Sequence, residues 1–389
     1  MNIMQFAELH PTRRRGAPAS RDAAIQLAEI RRILAAVNFV AEPTVALVSD
    51  EPNTSVVLPP NMQQLFKPGD LEDRLRWAKS LAGETKKVVL QHLQKARELG
   101  CMRRVAGPPN PEAVDALERD FPHCGAVTAL LRRRIALGNC CPAPTMKLPP
   151  LLLSGQPGSG KSAFAKRVAA MLAVPCHEVD MASLHTSFTM VGLDAGFSTG
   201  RPGALWDALQ TECMSPIVIL DELDKAGADD IGDDPTGFLY SVLEPLTSRR
   251  FVDAAIGLPI DASRVSWIAT CNDHRRIHPA ILSRFLLVEI DYPSAAQMPA
   301  VVASIHREMM AHSEWAAWFE PKLAREVLDA LSMIAPREVM ETLEDAFAQA
   351  ASAGRRFVLP LDVQQVRRRA PVRHPIGFCN APATEGSEG

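Results

Sequence analysis

An α/β domain built on a parallel sheet, followed by a small all-helical domain and preceded by a mostly helical region, is the fold class this sequence predicts. Three observations predict it. Short apolar runs at Leu151–Leu153, Ile217–Leu220, Val265–Ala269 and Leu286–Ile290 alternate with helical patterns, and strands separated by helices pair in parallel with both faces covered. The strand signals stop near residue 295, and four helical stretches run from there to about 369. A glycine-rich turn also stands between Leu151–Leu153 and the helix-forming KSAFAKRVAAMLA.

Taken in order, SRDAAIQLAEIRRILAAV within residues 20–40 carries Ile25, Ile30 and Leu34 in a helical rhythm. Residues 41–69 hold Pro43, Pro52, Pro59, Pro60 and Pro68 with little charge, and read as an irregular connector. Asp70 is read as the N-cap of a second helix, and Val89, Leu93 and Ala96 line one face of a third that stops at Gly100. Asn110-Pro111-Glu112 gives a cap, a first-turn proline and a first-turn acid in the order that opens a helix. The expected divisions are a mostly helical region over 1–105, an α/β domain over 106–294, a helical lid over 295–369 and a Pro/Gly/Ser-rich tail over 370–389.

Composition bounds what such a chain can be. Its 42 Lys+Arg against 45 Asp+Glu give a formal charge of −3, and 47% of its 389 residues are hydrophobic, enough for a sizeable core. The near-neutral balance removes the simplest case for a nucleic-acid-coating protein. No apolar stretch approaches 18 residues, so no membrane span is expected. MNIMQFAELHPTRRR lacks a long apolar core, so a secretory signal is not expected either. Eight cysteines without a C-x-x-C pair read as reduced thiols of a cytoplasmic protein.

Gly155-Gln156-Pro157-Gly158-Ser159-Gly160-Lys161-Ser162 matches G-x-x-x-x-G-K-[ST] at every fixed position, between a strand and a helix. Glycines let consecutive N–H groups converge on phosphate oxygens, and the following helix adds its positive end. Lys161 brings a mobile charge to the terminal phosphates, and the Ser162 hydroxyl can ligate Mg²⁺. A second element must hold the metal. Asp221-Glu222 closes the apolar strand Ile217–Leu220, at the strand end where open parallel sheets bind ligands. Asp221 is assigned to Mg²⁺, and Glu222 to orienting and polarising the attacking water. The sequence therefore predicts binding of a nucleoside triphosphate.

Several spaced stretches now bear on which kind. LPPLLLSGQPGSGKS, PIVILDELDKAG, DDPTGFLYSVLEPLTSRRFVD and VSWIATCNDHRRIHPAILSRF, from Lys147 to Arg284, resemble the AAA+ ATPase module of the Lon protease group. The resemblance reaches upstream through ALERDFPHCGAVTALLRRRIALG and downstream into the lid, covering roughly 105–370. It implies that Asn272 is a sensor touching the γ-phosphate or attacking water, and that Arg284 is an arginine finger reaching a neighbouring subunit's nucleotide. It implies that Arg337 is a second sensor on the lid. By the same resemblance the chain is a homo-oligomer, a hexameric ring, that hydrolyses ATP with Mg²⁺ and remodels or threads a protein substrate.

Two departures from that family stand out. Thr189-Met190-Val191-Gly192 has Met190 where Lon shows an aromatic that grips a translocating polypeptide. A gripping Met190 and a core-packing Met190 are both open readings. Only about 20 residues follow the lid, well short of the ~50 of a small domain, so the expectation is an ATPase without the Lon proteolytic domain. A nucleotide-controlled assembly switch and a DNA-associated motor or loader are the alternative functions.

Other patterns carry less. Gly196-Phe197-Ser198-Thr199-Gly200 matches G-x-S-x-G but lacks the strand and helix that this nucleophile turn needs. Cys140-Cys141 has no second pair, and His306 and His312 are six apart, off the spacing of a zinc helix. Arg13-Arg14-Arg15 and Arg367-Arg368-Arg369 are short basic runs suited to solvated surface, with nucleic acid a minor alternative.

Overall fold

The computed structural model describes residues 61–141, 143–227 and 234–369. The helix expected within 20–40, most of the 41–69 connector, the 370–389 tail and the acidic residues Asp229, Asp230 and Asp233 lie outside the described residues. Helix α1 (Pro68–Ala78) and helix α2 (Gly83–Leu99) follow strand β1 (Met62–Gln64), which pairs antiparallel with β2 (Met102–Arg104). This overturns two expectations. Residues 62–64 and 68–69 of the expected connector are a strand and a helix start, and α1 begins at Pro68 with Lys67 at its cap, so Asp70 is a first-turn acid. Proline suits the first helical position because its missing N–H would have no partner there, and Asp70 faces the positive end of the helix. Gly100 ends α2 at φ 76°, and Val89, Leu93 and Ala96 are fully buried, both as read.

Helix α3 (Pro111–Asp120) opens as its sequence predicts, with the Asn110 side chain accepting from the Glu112 N–H. Helix α4 (Gly125–Asn139) follows. Then come β3 (Leu151–Ser154), α5 (Lys161–Met171), β4 (Cys176–Asp180), β5 (Ile217–Asp221), the two-residue pair β6 (Phe251–Val252) and β7 (Pro259–Ile260), β8 (Ser266–Cys271) and β9 (Leu286–Glu289). Five of these strands form one parallel sheet in the order β4-β5-β8-β3-β9.

Side-chain alternation divides the sheet's contacts between two layers. Leu152, Val218, Leu220, Trp267 and Ala269 pack into one core with α1, α2 and Trp206. Leu151, Leu153, Ile217, Ile219 and Ile268 pack into the other with α3, α4 and Phe164 of α5. Because the central strands are buried on both faces, they read as unbroken apolar runs rather than alternating ones. β4 was not expected, since at the sheet edge Cys176, Glu178 and Asp180 stay exposed and leave no apolar run. At the other edge, Leu286 and Leu287 of β9 are exposed despite their apolar character.

Four helices follow the sheet: α6 (Met298–His312), α7 (Arg325–Leu331), α8 (Pro336–Ser352) and α9 (Pro360–Arg369). They enclose their own core of Val302, Val327, Leu331, Leu343 and Phe347, the helical lid that the sequence predicts.

Candidate nucleotide site

Gly155–Ser162 joins the C-terminal end of β3 to the first turn of α5, so the loop sits at the strand ends of the sheet. Gly158 and Gly160 take φ of 82° and 85°, the left-handed region where a β-carbon is strained. The aliphatic stem of Arg337, in the first turn of α8, packs over Gly158 so closely that a β-carbon there would stand 3.1 Å from its Cδ. Lys161 is 7% exposed. Its ammonium donates to the Gly155 carbonyl at 2.9 Å, the Gln156 carbonyl at 3.0 Å and Asn272 Oδ1 at 3.3 Å. Burial pulls its pKa below the ordinary lysine value, with Cys271, Asp221 and Asp224 acting the other way.

The acidic side of the site is built on β5 and β8. The Ser162 hydroxyl donates to Asp221 Oδ1 at 2.6 Å, and the Thr270 hydroxyl donates to the same oxygen at 2.5 Å. Thr270 Oγ1 also accepts the Glu222 backbone N–H at 3.0 Å. Glu222 stands at φ 57°, one of two non-glycine residues with positive φ among the described residues. Its carboxylate meets the Lys225 ammonium at 2.6 Å, a pair more than a third exposed on both sides. Asp224 is buried, and its Oδ2 accepts the backbone N–H groups of Asn272 and Asp273, each at 3.1 Å. One carboxylate thus holds the turn that presents Asn272 beside Lys161.

The structure gathers most of the sequence-predicted residues. The Gly155–Ser162 loop, Asp221, Glu222 and Asn272 converge, and Arg337 reaches the loop from the lid. Arg284 does not join them. Its guanidinium lies 5.2 Å from the centre of the Tyr240 ring and donates to the Ala280 carbonyl, while its Nε is buried without a partner among the described residues. Met190 is fully buried in the core shared with Leu205 and Trp206, so the core-packing reading holds and the gripping one falls. Residues 196–200 form a turn bracketed by the Leu193–Arg201 bridge, which confirms that G-x-S-x-G here is no nucleophile turn.

Sequence reasoning passed over Thr270, Asp224, His123 and Tyr292. His123 Nε2 lies 2.9 Å from the Ser159 carbonyl, and burial lowers the pKa of its ring, leaving neutral imidazole to donate that bond. The Tyr292 hydroxyl donates to the Pro157 carbonyl. No short pattern marks these four, because each acts through a partner distant in sequence. Thr270, Asp224 and His123 lay inside stretches singled out beforehand but were given no role there.

Parallel strands with a glycine loop, a buried lysine and a Ser–Asp pair define a phosphate-loop NTPase domain. Residues 151–291 match the family model described as "ATPase family associated with various cellular activities (AAA)". Over that region the chain is 32% identical along 150 residues to "Lon protease homolog 2, peroxisomal" of Pichia angusta, covering 38% of this chain and 16% of that protein. It is 34% identical along 146 residues to "Lon protease" of Dictyoglomus thermophilum, covering 37% and 18%. The chain thus spans less than a fifth of the length of these curated relatives. Among solved structures, a Saccharomyces cerevisiae Hsp104:casein complex superposes with TM-score 0.51 at 17% identity, covering 65% of this chain and 51% of that one. A Thermotoga maritima RuvB mutant superposes with TM-score 0.44 at 13% identity, covering 63% and 69%. This region is similar to the AAA modules of Lon proteases.

The residues present fit Mg²⁺ with a nucleoside triphosphate. Among the described residues Lys161 hydrogen-bonds neutral oxygens and pairs directly with no carboxylate, and the buried Ser159 hydroxyl has no partner. Among the described residues no cluster of three or more His, Cys, Asp or Glu side chains could cage a metal. That suits Mg²⁺, which takes one or two protein oxygens and completes its shell from phosphates and water.

Proposed function

We propose that this chain binds ATP at the Gly155–Ser162 loop and hydrolyses it at an interface between copies of itself, driving the remodelling of protein substrates. The observation that carries the reading is the Ser162–Asp221 hydrogen bond beside a buried Lys161 whose hydrogen-bond partners among the described residues are neutral oxygens. Ser162 and Asp221 would hold Mg²⁺, which when bound neutralises phosphate charge. Lys161 and the loop N–H groups bind the phosphates, and Glu222 accepts the proton of the attacking water once its carboxylate leaves Lys225. Asn272 orients that water, while Arg337 reports phosphate state to the lid.

Arg284 is assigned to a neighbouring copy's nucleotide. Two features support that reading: among the described residues the guanidinium bonds the Ala280 carbonyl and rests on Tyr240 rather than on its own loop, and the exposed Leu286 and Leu287 lie two and three residues beyond it. A ring, with six copies as in the family it resembles, would bring such a face to the next subunit's site. The remodelling of proteins is carried from the Lon-like character of the module.

The test is phosphate release by purified full-length chain with Mg-ATP, alongside Lys161→Ala and Glu222→Gln. Lys161→Ala should lose nucleotide binding, and Glu222→Gln should retain bound ATP without turnover. Turnover by Glu222→Gln at the wild-type rate would remove Glu222 from the base role. A chain that stays monomeric and releases no phosphate overturns the whole reading.

A further inference from the structure

The end of α3 joins the phosphate-loop helix to the lid. Asp120, its last residue, is 4% exposed. One of its carboxylate oxygens accepts from Arg167 of α5 at 3.0 Å, and the other accepts from Arg307 of α6 at 2.7 Å. Both arginine side chains are about half exposed, so the carboxylate is the buried member of the trio. The next three residues repeat the pattern. Phe121 packs edge-on against Phe164 of α5 at 5.5 Å between ring centres. The Pro122 carbonyl accepts from Gln297, just ahead of α6, at 3.1 Å, and His123 meets the Ser159 carbonyl at 2.9 Å.

A buried carboxylate is costly to desolvate and is stable only with its cations in place. Here the two cations come from different layers of the molecule, one on the helix that begins at Lys161 and one on the lid. Asp120 is therefore fully compensated only when α6 is seated against the end of α3, beside Arg167 of α5. The same seating sets where α8 lies and hence whether Arg337 covers Gly158. A carboxylate shared in this way makes lid position and loop geometry a single choice rather than two.

We propose that Asp120 is a positioning residue: through Arg167 and Arg307 it locks the lid onto the phosphate-loop helix and so seats Arg337 over the nucleotide loop. This rests on the nucleotide reading above for its consequence, though not for the lock itself. The group touches no reacting atom. Its action is on affinity, through the fraction of molecules whose lid is already seated.

The experiment uses the full chain and Arg307→Ala, which leaves Asp120 paired with Arg167, with Asp120→Asn, which removes the buried charge, as the companion. Without nucleotide, amide exchange in α6 and in the turn at Pro122–Cys124 should quicken about ten-fold in Arg307→Ala. With a non-hydrolysable Mg-ATP analogue, its Kd should rise about ten-fold, and Arg307→Lys should recover most of that loss. Adding Arg337→Ala to Arg307→Ala should weaken binding less than two-fold further, because both act through one seat. Exchange and affinity within two-fold of wild type in Arg307→Ala would overturn the lock, and so would losses that multiply in the double variant. Should the wild-type chain bind no analogue, the nucleotide reading falls, and the exchange comparison alone decides the lock.

Discussion

Ser162 and Asp221 stand 59 residues apart in the chain and 2.6 Å apart in space, the serine hydroxyl donating to the aspartate. The pair places two hard oxygen ligands at the mouth of the phosphate loop, where Mg²⁺ would join protein to phosphates. Ser162→Ala should weaken binding of the Mg-nucleotide by about ten-fold or more, roughly 1.4 kcal/mol. Asp221 keeps its Thr270 donor in that variant, so the thermal midpoint should hardly move. Nucleotide titrations with Mg²⁺ and with EDTA check this, and an equal loss under both conditions would remove Ser162 from the metal.

Thr270 serves two masters in the acidic pair. Its hydroxyl donates to Asp221 and accepts the N–H of Glu222, a residue held at a positive φ that few side chains tolerate. Thr270→Val keeps the shape and removes both bonds, at a cost of about 1–3 kcal/mol for the unpaired groups. Turnover should fall further than this stability loss explains, because Glu222 would leave the conformation that aims it. Denaturant unfolding and phosphate release on the same samples separate the two effects. A variant that unfolds earlier yet turns over normally would show that the Glu222 backbone needs no such brace.

These residues also mark how far the sequence could be read. The central strands were legible because Leu152, Val218, Ile219 and Ile268 are buried from both sides and leave unbroken apolar runs. The phosphate loop was legible because its chemistry depends on consecutive residues. β4 escaped notice as an edge strand whose exposed Cys176, Glu178 and Asp180 break any apolar run. The β1–β2 pair escaped because it joins three-residue strands across two helices, a contact that no local pattern encodes. Thr270, Asp224 and Asp120 bear no motif, since each takes its role from a partner brought close only by folding. Met190 was ambiguous for a related reason: burial decides its role, and a lone methionine suits a core gap as well as a surface.

Asp253 gives the fold a pH dependence of unusual sign. The carboxyl is fully buried, and burial pushes its pKa up to about 6 from the ordinary 3.8, against the N–H groups of Gly203, Ile256 and Ala255 that favour the charged form. A raised acid pKa means the folded state holds its proton more tightly than the unfolded chain does. The resulting stability is complete below about pH 4 and is lost as pH climbs to about 6, up to about 3 kcal/mol. Asp253→Asn removes the titration. Urea unfolding of both proteins between pH 4 and 7 should show the wild-type minus variant difference shrinking across that window. A difference that stays flat, or that grows with pH, would mean the carboxyl is charged in the folded protein.

Arg284 is the residue whose proposed partner lies in another molecule, and mixing experiments can expose that. Within its own chain the guanidinium rests on Tyr240, with Nε buried and unpartnered among the described residues, away from the phosphate loop's own side chains. If its work is done at a neighbour's nucleotide, Arg284→Ala should bind ATP with near-wild-type affinity and release phosphate at least about a thousand-fold more slowly, the scale of such fingers. Lys161→Ala is inactive for the opposite reason, having an intact finger and an empty loop. In a mixed assembly some interfaces would pair a sound loop from the first variant with a sound finger from the second. Phosphate release should therefore reappear on mixing and peak at intermediate ratios, since each productive interface needs one copy of each. If no mixture exceeds the sum of its inactive parts, although both variants co-assemble by light scattering, then Arg284 acts within its own chain or not at all.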